Sequence, residues 1–591
     1  MLGWQIGYAA ACRAAKGDST SPPSLLIIGF VMEKRASSKK QTKDFFDRYE
    51  LMLVIMLIAS GVIIRAIPLM HQGFYESDVY FHYVVLKEAV SNNFIVPSIN
   101  PLSDRNGLVF EPKGFYYLTL VPYYFVRNLI SLYSFLRIIP LFYVILEFIL
   151  FYIFAGQLIK NSKFQLLALF LLVFSISNIS RTSALTYRGD GFIGMFFLAS
   201  LILLALAYKS KKNNYVYALG SVFALIICGL VWNGSTFAFA VFAISVVAIA
   251  FYSFFANNTN LKHKRILKIS LIILAVFALA IVLGTYFSNT ALYLYFQNGI
   301  GSKVAYLTVS ELQPVNPSII IGSNGLVSII TPLFYPILIS SIVPLAYKWI
   351  PFLIILAVIP IYIIANLKKK NEESTEVKII VLSYFAITAF LSVYAVRFLT
   401  ILSIPAAIIE AYTLYWICTR IKSKYAIIGL IAFVLIIQAL AAIVFVYGTP
   451  FPSTVNNQFI EANDWINLNL PTNATIITYW NFGAEVEFYT NRTATEDSIG
   501  NQFTNNTYQL WLMSTNSSIS SLGKLNASYL MFRYDMMGER RYICLEALAY
   551  NCTASYVNST STNIYKIDSN QTINGLTILY SNNDTRIYRL N

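Results

Sequence analysis

The stretch Ala426-Ile-Ile-Gly-Leu-Ile-Ala-Phe-Val-Leu-Ile-Ile-Gln-Ala-Leu-Ala-Ala-Ile-Val-Phe-Val446 contains no charged side chain and decides the fold class. An apolar run of about 20 residues is long enough to cross the hydrocarbon core of a bilayer as a helix. Residues 191–208 form a second such run, and across the chain 57% of residues are hydrophobic while only 12% are charged. A soluble protein has about 25% charged residues. The composition therefore predicts a multi-pass α-helical membrane protein and excludes a set of soluble domains.

Short basic clusters between the apolar runs contribute much of the net charge of +15. The clusters are residues 209–212, 262–265, 368–370 and 420–424. Basic residues concentrate in the cytoplasmic loops of membrane proteins. We therefore interpret these clusters as the cytoplasmic face and predict no nucleic-acid partner.

The apolar segments predict a membrane domain of about 13 spans at residues 51–447. They lie near residues 51–70, 115–131, 134–159, 164–180, 192–208, 215–232, 235–255, 267–287, 329–346, 349–366, 377–395, 398–417 and 425–447. Two long loops, at 71–113 and 288–328, are predicted to be external.

The N-terminal region has two parts. Residues 1–31 lack the architecture of a signal peptide, and we interpret them as a non-native or disordered extension before Met32. Residues 32–50 are predicted to be a basic cytoplasmic segment that orients the first span. The predicted topology is inconsistent at one point. The basic clusters place residues 181–191 outside, whereas four crossings before them, counted from a cytoplasmic N-terminus, place them inside. Either one segment does not cross fully, or one crossing is hidden.

From residue 448 the composition changes to Asn, Ser, Thr and Tyr, with short β-like runs at residues 474–479 and 529–533. We predict a soluble, extracellular, mixed α/β domain at 448–591. Nine Asn-X-Ser/Thr sequons in it agree with an outward location, although such a composition also makes sequons by chance. Outside the cell, Cys544 and Cys552 are close enough in sequence to form a disulfide.

Ionisable residues at the outer ends of the spans are the candidates for chemistry. Three loops carry them: Asp78 with His82 after the first span, Arg181 to Asp190 between two spans, and Glu311 in the second long loop. On spacing alone, each of these is better explained as a solvated polar loop. Arg397 differs, because it lies in an almost unbroken apolar stretch and needs a partner, a water-filled cavity or a bound anion.

The order of these motifs, followed by Tyr479-Trp480-Asn481-Phe482-Gly483 at the head of the outer domain, resembles the catalytic subunit of oligosaccharyltransferase in its single-subunit archaeal form. The resemblance covers about residues 50–500. Asp78 matches the family's first acidic motif, Arg181 to Asp190 its second, and Thr308 to Glu311 its loop motif. Residues 479–483 match its Trp-Trp-Asp-Tyr-Gly signature.

Three departures from the family pattern stand out. The central Asp of the signature is Asn481 and its first Trp is Tyr479. The first acid of the second motif is Arg188, so Asp190 is the only acid there. A further acceptor-binding motif is not clear, with Asp535 and Met536 as its candidates.

The resemblance implies a membrane domain of the large-loop glycosyltransferase type and a metal-dependent oligosaccharyltransferase. It would transfer a dolichyl phosphate- or diphosphate-linked oligosaccharide en bloc to the Asn amide of sequons in exported proteins. Donor lipid, acceptor polypeptide and membrane lipid are its expected partners, and a single subunit is expected to suffice. The implied roles are catalysis by Asp78, Glu311 and Arg181; Mn²⁺ or Mg²⁺ binding by Asp78, Asp190 and His82; donor-phosphate binding by Arg397, Trp232 and Arg188; and sequon binding by Tyr479, Trp480, Asn481, Asp535 and Met536.

Three other functions remain open. A membrane glycosyltransferase that uses a polyprenyl-phosphate sugar would share the acidic first loop, but the Glu311 loop and residues 479–483 argue against it. A transporter or flippase would need paired polar residues at mid-membrane depth. A weakly active or non-catalytic relative that binds sequons agrees with the departures at Arg188 and Asn481.

Overall fold

The computed structural model describes the helical region from residue 45 onward and most of the C-terminal domain. The described residues are 45–71, 73–98, 102, 111–210, 212–255, 261–287, 375–394, 397–448, 455–495, 507–516, 519–537, 540, 543–544 and 559–591. Residues 1–52 and 53–591 form separate compact units, and the described part of the first is the start of one helix. The predicted extension at 1–31, the loop at 288–328 and the spans near 329–346 and 349–366 lie outside the described residues.

Helices form the described chain up to residue 448. They are α1 Phe45–Ala66, α2 Ser77–Ser91, α3 Lys113–Val126, α4 Leu132–Leu158, α5 Ser162–Val173, α6 Ile176–Thr182, α7 Gly189–Lys209, α8 Asn214–Val231, α9 Thr236–Phe255, α10 Leu261–Phe287, α11 Thr375–Tyr394, α12 Phe398–Cys418 and α13 Lys424–Gly448. Polar side chains start two of them: Ser131 caps α4, and Asn161 caps α5 by accepting a hydrogen bond from the Lys163 amide at 3.0 Å.

Eight helices of the described residues are long and apolar enough to cross a membrane, or nine if α5 and α6 are one span bent by 58°. The prediction of a multi-pass membrane protein is therefore confirmed. The number of spans stays a prediction, because part of the chain lies outside the described residues. The predicted segment at 164–180 is divided between α5 and α6, which meet at Ser175.

Helix α3 explains why the predicted topology was inconsistent. It has 14 residues and is about 21 Å long, shorter than a hydrocarbon core of about 30 Å. Its buried side chains, among them Phe115 and Tyr116, belong to a hydrophobic cluster that also contains residues of the sheet domain, of α2 and of the spans α4 and α7. The predicted span at 115–131 is therefore not among the described helices that are long enough to cross a membrane, and without it the predicted spans place residues 183–188 outside, in agreement with the charges.

The basic clusters that follow α7 and α12 orient these two helices in the same direction. Helix α7 leads from the outer end at Gly189 to the basic cluster 209–212, and α12 leads from Arg397 to the cluster 420–424. Helix α13 then leads back from that cluster to Gly448. The C-terminal domain therefore lies on the outer face, as predicted.

The C-terminal domain is built on a mixed five-stranded sheet. Its helices are α14 Asn457–Asn469, α15 Trp480–Thr490, α16 Thr507–Met513 and α17 Asn563–Asp568, and its strands are β1 Thr475–Ile477, β2 Thr493–Ala494, β3 Tyr529–Arg533, β4 Leu576–Ser581 and β5 Thr585–Leu590. The strand order is β2-β1-β3-β5-β4. Strand β1 is parallel to β2 and β3, whereas β5 is antiparallel to β3 and β4. The predicted α/β domain and its runs at 474–479 and 529–533 are confirmed.

The outer helices α2 and α3 and the sheet domain share one hydrophobic core. Part of this core is an aromatic seam formed by Phe74, Tyr80, Tyr83, Phe488 and Tyr489. The Phe488 ring lies 5.1 Å from Tyr80 and 4.8 Å from Tyr83, both edge to face. Such pairs contribute about 0.5–1.5 kcal/mol beyond the area that they bury. The seam therefore fixes α15 of the sheet domain against α2.

Candidate active site

The first acidic side chains of the site lie where α2 begins. Glu76 is the N-cap residue of α2, and Asp78 is in its first turn. The unpaired amides at a helix N-terminus stabilise a nearby negative charge. The Asp78 side chain is 27% exposed and that of Glu76 is 18% exposed. The chain therefore presents two carboxylates together at an outer position, of which Asp78 is the more accessible.

The second group of site residues comes from the connection between α6 and α7. Arg181 lies in the last turn of α6, Arg188 is the N-cap residue of α7, and Asp190 is in the first turn of α7. The Asp190 carboxylate is thus at a second helix N-terminus. Its side chain is 3% exposed, whereas the Arg188 side chain is 12% exposed.

Ion pairs join these two groups into one unit, which we call the outer charge cluster: Glu76, Asp78, Arg181, Arg188 and Asp190. Arg181 Nη1 lies 2.9 Å from Glu76 Oε1. Arg188 Nη1 contacts Glu76 Oε2 and lies 3.2 Å from Asp78 Oδ2, while Arg188 Nε lies 3.4 Å from Asp190 Oδ1. The Arg188 guanidinium therefore touches all three carboxylates of the cluster.

Asp190 is the carboxylate of the cluster with the least solvation. Neither of its oxygens has a hydrogen-bond donor among the described residues. A buried carboxylate needs a cation or several donors nearby, because burial without them is costly. Apart from the long contact with Arg188, the oxygens of Asp190 are therefore available to bind a cation such as a divalent metal ion.

The described residues contain no group of three His, Cys, Asp or Glu side chains arranged for a metal ion. Asp78 and Asp190 offer the oxygen ligands that Mg²⁺ and Mn²⁺ prefer. The Arg188 guanidinium, however, lies between them. The pair fits a divalent cation in chemistry and burial only if Arg188 withdraws from one of the two carboxylates.

His82 is fully buried among aromatic rings, with Phe115 at 4.9 Å and Tyr187 at 5.7 Å between ring centroids. Its Nδ1 is 3.0 Å from the Tyr116 hydroxyl. Burial, together with the positive charge of Arg188, lowers the pKa of His82 to about 3 and keeps the ring neutral. Its contacts are those of a packed ring, and its role as a metal ligand stays a prediction.

Two glycines allow the start of α7 to approach its neighbours. A Cβ added at Gly189 would meet the Trp232 ring at 2.7 Å, and one at Gly191 would meet the Arg181 carbonyl oxygen at 2.6 Å. Trp232 is buried and follows α8 as its C-cap residue. The close approach at Gly191 holds Arg181 of α6 next to Asp190 of α7.

We expect Gly191→Ala to destabilise the protein by about 1–3 kcal/mol, because a backbone oxygen must move to admit the methyl group. Thermal unfolding of the purified protein in detergent measures the change. Gly429→Ala is the matched control, since a Cβ there meets nothing within 4 Å. Equal unfolding midpoints for Gly191→Ala and Gly429→Ala would contradict the close approach.

Arg397 is the N-cap residue of α12 and is half-buried. One turn later, the Thr400 hydroxyl donates to the Ser177 carbonyl of α6 at 2.8 Å. The next residue, Phe398, lies 6.0 Å from Phe237 between ring centroids. The structure thus attaches the helix end that carries Arg397 to the helix that carries Arg181.

The pentapeptide at 479–483 spans the start of α15. Tyr479 is its N-cap residue and is 1% exposed, and Phe482 is buried beside it. Trp480 and Asn481 form the first turn, and their side chains lie outside the described residues. Because Tyr479 is buried, its contacts favour packing over contact with an acceptor, and its acceptor-binding role stays a prediction.

Arg533 of β3 connects the turn Tyr534–Met537 to the pentapeptide at 479–483. The Arg533 guanidinium lies 4.6 Å from the centroid of the Phe459 ring and 5.6 Å from that of Phe482, and it pairs with Asp535 at 3.3 Å. The Asp535 side chain is half exposed, whereas Met536 is buried. Asp535 is therefore the accessible member of this predicted pair.

The predicted partnerships of Glu311 with Asp78 and of Cys544 with Cys552 involve residues outside the described part of the chain. Glu311 lies outside the described residues, so its relation to Asp78 stays a prediction. Cys544 is buried and disulfide-bonded, whereas Cys552 lies outside the described residues. The predicted pairing of these two cysteines thus also stays a prediction.

A buried polar network behind the cluster was missed from the sequence. Arg65 of α1 donates to Asn178 Oδ1 at 2.6 Å and to Thr182 Oγ1 at 2.8 Å, and Asn178 donates to Glu147 of α4 at 2.9 Å. Arg65 and Glu147 each interrupt an apolar run, a pattern that marks a functional or structural requirement in a span. Glu76 was also missed as a site residue, although it lies two residues before Asp78.

No family model matches the chain. The dolichyl-phosphooligosaccharide-protein glycotransferase 2 of Pyrococcus furiosus is 22% identical over 497 residues, which are 74% of this chain and 65% of that protein. The matched region thus spans less than two thirds of the length of this curated relative.

Two solved structures of the oligosaccharyltransferase from Archaeoglobus fulgidus are similar to the chain. The AglB complex with an inhibitory peptide and a dolichol-phosphate has a TM-score of 0.66 at 13% identity, covering 91% of this chain and 80% of that one. The complex with Zn and sulfate has a TM-score of 0.59 at 14% identity, covering 90% and 79%. The chain therefore has the fold of archaeal oligosaccharyltransferase, which confirms the predicted resemblance to that family.

Proposed function

We propose that this protein transfers a lipid-linked oligosaccharide en bloc to the side-chain amide of Asn in Asn-X-Ser/Thr sequons of exported proteins. The outer charge cluster carries the proposal, because it gathers the predicted catalytic and metal-binding acids on the outer face, where exported chains emerge. The likeness to a dolichyl-phosphooligosaccharide-protein glycotransferase supports the donor class, a dolichyl phosphate or diphosphate glycan.

The chemical difficulty of this reaction lies in the acceptor. The lone pair of an amide nitrogen is delocalised into its carbonyl group, so the nitrogen is a poor nucleophile. A carboxylate that accepts an amide N–H as the new bond forms stabilises the positive charge that develops on nitrogen. Asp78 has this role, because it is the most exposed carboxylate of the cluster, and Glu311 is its expected second acceptor. Arg181 keeps the cluster in place through Glu76.

A divalent cation, Mn²⁺ or Mg²⁺, fits the oxygen ligands of Asp78 and Asp190 once Arg188 has withdrawn from one of these carboxylates. The Zn complex of the Archaeoglobus fulgidus enzyme supports a divalent ion, though not its identity. Such an ion supplies Lewis-acid stabilisation to the phosphate that leaves with the lipid. Arg397 and Trp232 are the expected contacts for that phosphate, because both lie near the outer ends of helices beside the cluster.

The acceptor is expected to bind between the cluster and the start of α15. Phe488, near the end of α15, packs on Tyr80, which follows Asp78 by two residues. Trp480 and Phe488 are eight residues apart, which corresponds to about 12 Å along the helix, a distance that one extended sequon tripeptide nearly covers. Asn481 can accept a hydrogen bond from the sequon hydroxyl, without the strengthening that a charged acceptor gives.

Glycosylation of a fluorescent peptide tests the proposal. The full-length protein in detergent is supplied with lipid-linked glycan extracted from the source cells, an Asn-X-Thr peptide, and Mn²⁺ or Mg²⁺. We expect a slower-migrating fluorescent product, and none with a matched Gln-X-Thr peptide. Absence of product in every condition rejects transfer, and peptide binding measured by anisotropy then identifies a non-catalytic sequon-binding protein.

A further inference from the structure

One cation of the site is supplied by the chain itself. The Arg188 guanidinium touches Glu76, Asp78 and Asp190, which come from two helix N-termini. Its side chain is 12% exposed, and that of Asp190 is 3% exposed, so water screens their attraction only weakly. Arg188 therefore compensates the negative charge at the place where Asp78 and Asp190 approach each other.

We propose that Arg188 is a tethered cation that competes with a divalent metal ion for Asp78 and Asp190. The proposal rests on the proposed function, because it concerns the metal site of the same reaction. A guanidinium held by the backbone at the start of α7 has a high effective concentration at both carboxylates. A metal ion must displace it and therefore binds more weakly than the two carboxylates alone would allow.

Glu76 gives the displaced guanidinium another partner. It contacts Arg188 through Oε2 while Oε1 stays paired with Arg181. Arg188 can thus lose its contacts with Asp78 and Asp190 without becoming a buried, unpaired charge. The two oxygens of Asp190, which have no hydrogen-bond donor among the described residues, then become available to the metal ion.

Mn²⁺ binding to the purified full-length protein tests the competition without glycan or peptide. The EPR signal of free Mn²⁺ gives the affinity of the wild type and of each variant. We expect Arg188→Gln to tighten Mn²⁺ binding about tenfold or more, because a positive charge within 4 Å of both ligands is removed. Adding Asp190→Asn to Arg188→Gln is expected to remove this gain.

Arg181→Gln is the matched control, because it removes the same charge from the same cluster while Arg181 pairs with Glu76. We expect it to tighten Mn²⁺ binding by less than about threefold. Equal gains for the two arginine variants, or no gain for Arg188→Gln, would overturn the proposal.

If Arg188→Gln does not fold, Arg188→Lys decides the question, because lysine lacks the fork that reaches several carboxylates at once. It is expected to tighten Mn²⁺ binding by about threefold, and an unchanged affinity would overturn the competition. If these shifts in Mn²⁺ affinity are observed but no glycopeptide forms, the proposed function is rejected while the competition between Arg188 and the metal ion stands.

Discussion

We expect Asp78→Asn to slow glycan transfer to a sequon peptide by about 10²–10³-fold, the loss seen when one preorganised electrostatic contact to a transition state is removed. Asn keeps the size of the side chain and one oxygen acceptor, but it loses the charge that stabilises a developing cation on the amide nitrogen. It also weakens a metal ligand in the proposed pair with Asp190. The side chain is 27% exposed, so a direct contact with the substrate is possible without rearrangement.

The rate of a single turnover on the fluorescent peptide is the measurement for Asp78→Asn. Glu461→Gln is the matched control, because Glu461 is an exposed acid on α14, outside the site. We expect the control to retain the wild-type rate. A wild-type rate for Asp78→Asn as well, with unchanged thermal unfolding, would remove Asp78 from the catalytic group.

The second large effect is expected from Arg65→Met, which should destabilise the protein by about 3–5 kcal/mol. Arg65 is fully buried, its Nη1 donates to the Val173 carbonyl at 2.9 Å, and its guanidinium lies 4.8 Å from the centre of the Phe148 ring. Its remaining donors reach Asn178 and Thr182 of α6. Methionine fills much of the volume but removes the Arg65 donors from the Val173 carbonyl and from Thr182 Oγ1, and it leaves Asn178 Oδ1 with the Thr182 hydroxyl at 3.1 Å as a donor.

The double variant Arg65→Met/Glu147→Gln separates charge from packing. Asn178 connects the two buried charges, so removing both should restore part of the stability lost with Arg65 alone. Arg127→Met is the control, since Arg127 is exposed beside the rings of Phe94 and Tyr124. Unfolding midpoints in detergent measure all three variants. A loss for Arg127→Met as large as for Arg65→Met would show that the effect is not specific to the buried network.

The sequence allowed the fold class and the main acids of the site to be predicted. Apolar length alone identifies spans such as α7 and α13, and the motif order brought Asp78, Arg181 and Asp190 into one site, where the ion pairs indeed join them. Both kinds of information are local, since a run of apolar residues or a spacing of two acids is visible in a short window.

The errors concern properties that depend on neighbours distant in the sequence. The segment at 115–131 is apolar enough for a span, yet its aromatic residues belong to the core shared with the sheet domain. The sequence identifies Arg188 as a residue in the place of an acid and as a candidate contact for the donor phosphate, but its spacing does not reveal that three carboxylates surround it. Arg65 and Glu147 could have been recognised as charges inside apolar runs, but their partner Asn178 could not.

The aromatic seam between α2 and α15 has a consequence for the descent of this protein. Phe488 contacts Tyr80 and Tyr83, so a face of the helix that carries Asp78 packs against a residue more than 400 positions later in the sequence. A recombination event that exchanged the C-terminal domain alone would pair a foreign α15 with the resident α2. We therefore expect chimaeras between relatives to be functional only when residues 73–91 and residues 455–591 come from the same parent protein.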